Sequence, residues 1–220
     1  INLCLFSPPL LLSGSSYNKF RINFLKYFNF QYGFLMNAAE FQDTSEWGLS
    51  FSIWTIGECL DKENFKYSIK ENDGFKIINR CSKYIYNLDS KLSVNDWLRN
   101  NDKQELIDCV NLKSALNIKE GKCKIYSNSL GYFNNAGNNI EKSSSQCAIF
   151  STGYQNEHGT IISFSNFNKT CQTFFARKTV QSNWINQKDE YLAPSPEIQQ
   201  TEKYKQFEAD SIVYSLFNTS

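Results

Sequence analysis

The spacing of apolar positions changes along this chain, and the changes mark its elements. Ile1 to Phe6 is a continuous apolar run of strand length stopped by Pro8-Pro9, which suits a strand buried on both faces of a parallel sheet. From Ser13 the period becomes helical. Tyr17, Phe20, Phe24, Leu25 and Phe28 share one face, Asn18, Lys19, Asn23 and Lys26 fall opposite, and Ser13-Gly14-Ser15-Ser16 offers N-cap candidates. Phe30 to Met36 reads as a second strand and Asn37 to Glu46 as a polar loop with Phe41 inside it. Trp47 to Ile56 reads as a third strand in which Trp47, Leu49, Phe51 and Ile53 alternate with Gly48, Ser50 and Ser52, a crowded face against a small-residue face. The loop joining the second and third strands is too short for a helical crossover, so they should pair antiparallel.

After Gly57 the strand-helix-strand style stops, which places a domain boundary near Gly57 to Asn64 and divides the chain into residues 1–60 and 61–220. Phe65, Tyr67 and Ile69 alternate with polar residues, and Glu71-Asn72-Asp73-Gly74 leads into Phe75 to Ile78 as a hairpin. Short helices are expected over Ser93 to Arg99 and Leu112 to Leu116, and the Asn/Gly/Ser-rich stretch from Leu130 to Ser145 reads as loop. Cys147 to Tyr154 and Thr160 to Phe164 read as strands around a turn holding His158. Two helices close the pattern. Asn168 caps one with apolar positions Cys171, Phe174, Phe175 and Val180, and Thr201 caps another with Tyr204, Phe207, Ile212 and Leu216. Leu192-Ala193-Pro194-Ser195-Pro196 is an extended linker between them. No internal repeat is visible.

Composition narrows the chemistry. Hydrophobic residues make up 41% and aromatics 15% of 220 residues, far from a disordered composition. The formal charge of +1 supplies no global field toward nucleic acid, so DNA contact needs a local basic patch. Lys19, Arg21, Arg177 and Lys178 are the candidates, although such clusters are more often just a solvated face. The 7 cysteines are scattered and never paired as C-x-x-C, which reads as reduced, mostly buried thiols in a cytoplasmic protein. The single histidine, His158, leaves a zinc site or a Ser-His-Asp triad without support. Leu3 to Leu12 is too short and too broken by proline to span a bilayer. The chain opens on Ile1 rather than Met, and the expectation is a piece of a longer protein.

Some blocks go beyond pattern. Phe6-Ser7-Pro8-Pro9-Leu10-Leu11-Leu12-Ser13-Gly14-Ser15-Ser16-Tyr17-Asn18-Lys19-Phe20-Arg21, then Asn37-Ala38-Ala39-Glu40-Phe41 and Trp47-Gly48-Leu49-Ser50-Phe51-Ser52-Ile53-Trp54, resemble the segments that follow the catalytic motif in adenine-specific DNA methyltransferases of type II restriction-modification systems. Phe175 to Thr179, Trp184 to Leu192 and Asp210 to Phe217 are similar to downstream blocks of the same group. The element order looks like the fifth strand, its helix, and the sixth and seventh strands of that fold, the last inserted antiparallel.

The resemblance implies an α/β (α+β) architecture: the C-terminal half of a class I methyltransferase Rossmann-like sheet over residues 1–60, followed by a mixed target-recognition region over 61–220. It implies methyl transfer from S-adenosylmethionine to adenine in double-stranded DNA by the full-length protein. No Gly-rich cofactor turn is found here, and Pro8-Pro9, flanked by Ser7 and Leu10, lacks the polar acceptor and stacking aromatic of the catalytic motif. The cofactor and the catalytic groups are therefore expected from a missing N-terminal portion, with no catalytic, cofactor or metal residue in this chain and no membrane partner. An extruded base is held by aromatic stacking. Phe41, with Trp47 nearby, matches the target-base position; the alternative for Phe41 is a loop anchor packed on the core. Two other readings stay open: a restriction endonuclease portion, with Asp108 and Glu120-Gly121-Lys122 as a metal site, and a DNA-binding module without chemistry.

Overall fold

The third strand sets the first sheet by running against both of its neighbours. The computed structural model describes residues 2–41, 44–72, 74, 77–87, 92–99, 130–135, 137–142, 147–150 and 159–217. Its contacts gather into two units: Ile1–Ser90 with Asn139–Glu141 and Ser182–Glu190, and Lys91–Asn138 with Lys142–Gln181 and Tyr191–Ser220. The first unit holds β1 (Asn2–Ser7), β2 (Phe28–Asn37), β3 (Gly48–Ile56), β4 (Asn64–Asn72) and β5 (Ile77–Tyr86), in the spatial order β1-β3-β2-β4-β5. β3 pairs antiparallel with β2, as the short loop predicts, and also antiparallel with β1. Only β2 and β4 are parallel.

Three expectations change here. β1 is an edge strand rather than a strand buried on both faces, and its Asn2, Cys4 and Phe6 are exposed. The boundary near residues 57 to 64 falls between two strands of one sheet, because β4 continues the sheet beside β2 and the unit runs on to Ser90. The single helix read from Ser13 to Phe28 is broken into α1 (Leu10–Ser13), a 3-10 turn (Ser15–Tyr17) and α2 (Asn18–Phe24), with Gly14 extended at ψ 134.

One face of this sheet is the core. Leu12 and Leu25 from the helical segment join Trp54, Phe65, Tyr67 and Ile69, and Phe24 and Phe30 meet the Trp54 ring edge-on at 4.9 and 5.2 Å. Such pairs add about 1 kcal/mol each beyond burial. The small residues face inward to make room. A Cβ on Gly33 would lie 2.3 Å from the Tyr67 ring, and the buried Ser52 Oγ accepts a 2.8 Å bond from Trp54 Nε1. The crowded face of β3, with Leu49, Phe51 and Ile53, is thus the outer one, each of these residues half-buried.

The second unit holds an antiparallel sheet ordered β7-β6-β8, from β6 (Gly131–Asn135), β7 (Cys147–Phe150) and β8 (Gly159–Ile162). β6 lies within the stretch read as loop from its Asn and Gly content. Phe133 inside it is fully buried, and burial of that ring outweighs local propensity. α3 (Val94–Arg99), α4 (Phe167–Thr179), α5 (Pro196–Gln199) and α6 (Glu202–Phe217) complete the unit. The segment read as an extended linker ends in α5, whose first turn Ser195 caps through a 3.4 Å bond from the Ile198 N–H. Thr201 caps α6 through a 3.2 Å bond from the Tyr204 N–H, as read from the sequence. α4 begins two residues earlier than expected, after Asn166 rather than Asn168. The core is Leu98, Phe133, Cys147, Ile162 and Phe174. α4 and α6 pack through Phe175 against Phe207 and Tyr214, with the buried Ser211 on the same face of α6. Leu216, expected on that face, is exposed. Residues 112–116 and His158 lie outside the described residues. Among the described residues no helix is long and apolar enough to cross a membrane.

Candidate functional site

The carboxyl ends of β1, β2 and β4 share one edge of the first sheet, and the amino end of β3 starts there. Ligands of open α/β sheets bind outside such strand ends. The chain leaves β2 at Asn37, makes a 3-10 turn over Ala38–Glu40 and returns at Gly48. Local hydrogen bonds fix this loop. Asn37 Oδ1 accepts from the Ala39 N–H at 3.0 Å, and the Ala38 N–H donates to the Trp47 carbonyl at 2.7 Å. The Thr44 hydroxyl reaches the Ala38 and Phe41 carbonyls, and Asn72 Nδ2 on β4 donates to Glu40 at 3.1 Å.

Phe41 is 45% exposed on this pinned loop. A loop anchor packed on the core would be buried, so that alternative fails. A solvent-facing ring at the strand ends is able to stack on a flat ligand. Trp47 is half-buried at the base of the same loop, where its carbonyl closes the turn. Behind it, a Cβ on Gly48 would lie 2.5 Å from the Trp184 carbonyl, so Gly48 is what lets the 182–190 segment approach.

The basic candidates do not form a patch. Lys19 is exposed on α2, but Arg21 of the same helix is 0% exposed. Arg21 donates to the carbonyls of Gly14 at 2.5 Å and Leu11 at 3.4 Å and to Asn87 Oδ1 at 2.7 Å. Burial lowers its pKa, opposed by the nearby Glu190. Its role is to hold the break between α1 and α2. Arg177 is also 0% exposed and does not lie on the basic outer face of its helix. It donates to the Gly137 carbonyl and lies 4.8 Å from the Tyr191 ring centroid, while its Nε and Nη1 find no hydrogen-bond partner. Burial lowers its pKa too. Lys178 is half-buried with its ammonium 5.5 Å from the Phe174 ring.

Sequence reading missed the clamps on the 182–190 segment. Lys83 Nζ bridges both Asp189 oxygens at 2.7 Å and the Ile185 carbonyl at 2.5 Å. Glu190 accepts from the Ser15 N–H at 3.1 Å. Burial raises the pKa of both carboxyls, with Lys83 opposing at Asp189, and Ser15 and Arg21 opposing at Glu190. Trp184 and Ile185 pack on the first core. The partners lie about a hundred or more positions apart in the sequence, so no local pattern marks them.

In the second unit, Trp97, Gln172, Thr173, Tyr191, Tyr204 and Phe207 help line a cavity of about 130 Å³, well under the roughly 300 Å³ at which small-molecule sites begin. Among the described residues no group of three or more His, Cys, Asp or Glu is placed to hold a metal; Asp108, Glu120 and Lys122 lie outside them. No family model, no curated protein and no solved structure matches this chain.

Proposed function

We propose that this chain is part of a site-specific DNA adenine methyltransferase of the restriction-modification type, the part that closes the catalytic sheet and helps hold the target base. The observation that carries the reading is β3 inserted antiparallel between β1 and β2, with the exposed Phe41 on the loop that joins β2 to it. The sequence resemblance assigns the same three elements and loop to the end of the methyltransferase sheet. In this reading S-adenosylmethionine and the groups that accept the amino proton belong to the rest of the enzyme. Phe41 stacks on the extruded adenine, and Lys19 is the one exposed cation of the four proposed for phosphate.

The test is a duplex carrying 2-aminopurine opposite an abasic site, which removes most of the cost of extrusion. The chain should bind it at low salt and quench the fluorophore. Phe41→Ala should weaken binding by about tenfold, the scale of one lost base-stacking contact. Unchanged affinity in that variant, or no duplex binding at low salt, would overturn the assignment. Calorimetry of the chain with S-adenosylmethionine should show no uptake, and micromolar binding would contradict the proposed division of the enzyme.

A further inference from the structure

The outer face of the first sheet is built to be covered. Register places Phe6, Phe51 and Phe34 side by side across β1, β3 and β2, with ring centroids 4.8 and 5.1 Å apart. Tyr32 extends the row along β2 at 6.4 Å from Phe34. Phe6 is 59% and Tyr32 43% exposed. Ile53 and Leu49 of β3 share this outer phase and are half-buried only by their neighbours. A sheet with apolar residues on both faces needs a second layer.

Charge selects what that layer is. Along β4, Phe65, Tyr67 and Ile69 point to the core, so Lys66 and Lys70 share the outer phase, and the Lys66 ammonium lies 6.0 Å from the Tyr84 ring. Glu71, the only carboxylate in the five strands, falls in the inner phase and is held by Arg80 at 2.6 Å. A face-to-face pairing of two copies that lays β4 over β4 would set lysine against lysine, which disfavours that arrangement. Alternating aliphatic and aromatic side chains match the ridges of a helix better than a stack of bases, and a row about 10 Å across three strands matches the width of one helix.

We infer that this face docks an amphipathic helix of a separate partner protein, with an apolar stripe over Phe6, Phe51 and Phe34 and carboxylates along the flank that meets Lys66 and Lys70. The inference does not depend on the methyltransferase reading, because it uses neither Phe41 nor DNA.

A fluorescent helical peptide of about 20 residues, roughly 30 Å long, with a Leu/Ala stripe and Glu flanks tests it, beside the same stripe with Lys flanks. Anisotropy should show saturable binding of the Glu-flanked peptide, at least about tenfold tighter than its Lys-flanked counterpart. The double variant Lys66→Glu and Lys70→Glu, the first exposed and the second half-buried, should reverse that preference, and Phe6→Ser should weaken binding of the Glu-flanked peptide. Phe41→Ala should leave peptide binding unchanged, which separates this test from the one above. Equal affinity for both peptides, no binding of either, displacement of the peptide by an oligothymidylate, or a dimer in light scattering that Phe6→Ser dissolves would each overturn the inference.

Discussion

Arg21 and Arg177 show how the same side chain in the same pattern takes two different energetic positions. Both are completely buried. Arg21 satisfies two backbone carbonyls and Asn87 and lies near Glu190, with its Nη2 alone left without a partner. Arg177 has one carbonyl and one aromatic face, and two of its nitrogens are orphaned. Removing a cation that satisfies buried acceptors strands them, at about 2–4 kcal/mol, whereas replacing a poorly compensated buried charge with an apolar chain of similar volume is close to neutral or stabilising. Urea unfolding should therefore show a clear loss of midpoint for Arg21→Met and little change or a gain for Arg177→Met. An equal loss in both would contradict this account. The helical period around these residues says which neighbours share a face. It does not say whether a long cationic side chain at the edge of that face turns inward, because that depends on carbonyls supplied by distant loops.

At the scale of elements, the 182–190 segment is held to the first sheet by Lys83–Asp189, Ser15–Glu190 and the packing of Trp184 and Ile185. Asp189→Ala should release this strap without unfolding β4 and β5. Hydrogen exchange should accelerate by about tenfold at the Asp189 N–H and at the Ile140 N–H, which donates to the Asp189 carbonyl, while β4 amides stay protected. Equal acceleration in β4 would show that the strap and the sheet open as one unit. The elements themselves were partly legible. Strong period-2 alternation located β3 to within one residue, and Thr201 marked the start of α6. β6 was not legible, because Gly131, Asn134 and Asn135 carry loop signals and burial of Phe133 against Leu98 and Phe174 makes that stretch a strand. The loop aromatic Phe41 was a candidate only through the family resemblance, and its exposure was not legible in the sequence.

For the whole molecule, the buried groups with displaced pKa values favour their neutral forms. Burial pushes the Cys147 thiol up from 9.0 to about 11, and raises Cys171, Tyr67 and Tyr204 in the same direction. A folded-state pKa above the unfolded one means that the folded chain keeps its proton longer. The stabilisation is complete below the unfolded value and is lost as pH rises toward the folded one. For Cys147 the window is pH 9 to 11, and two pH units correspond to about 2–3 kcal/mol. Stability in urea should fall steeply across this window, and Cys147→Ala should flatten the fall. An unchanged slope in the variant would assign the alkaline loss to the tyrosines and Cys171.

The sequence by itself determined most of the places where the chain extends or coils, β6 and the break at Gly14 excepted, because side-chain spacing and capping act within a few residues. Tertiary structure alone decided which face of each strand became the core. Alternation in β3 separates Leu49, Phe51 and Ile53 from Ser50, Ser52 and Trp54 with equal clarity in either orientation. The choice went to the small-residue side because the rings of Trp54, Phe65 and Tyr67 need the space that Gly33 and Ser52 leave, and those rings and small residues come from three strands of the sheet, β2, β3 and β4.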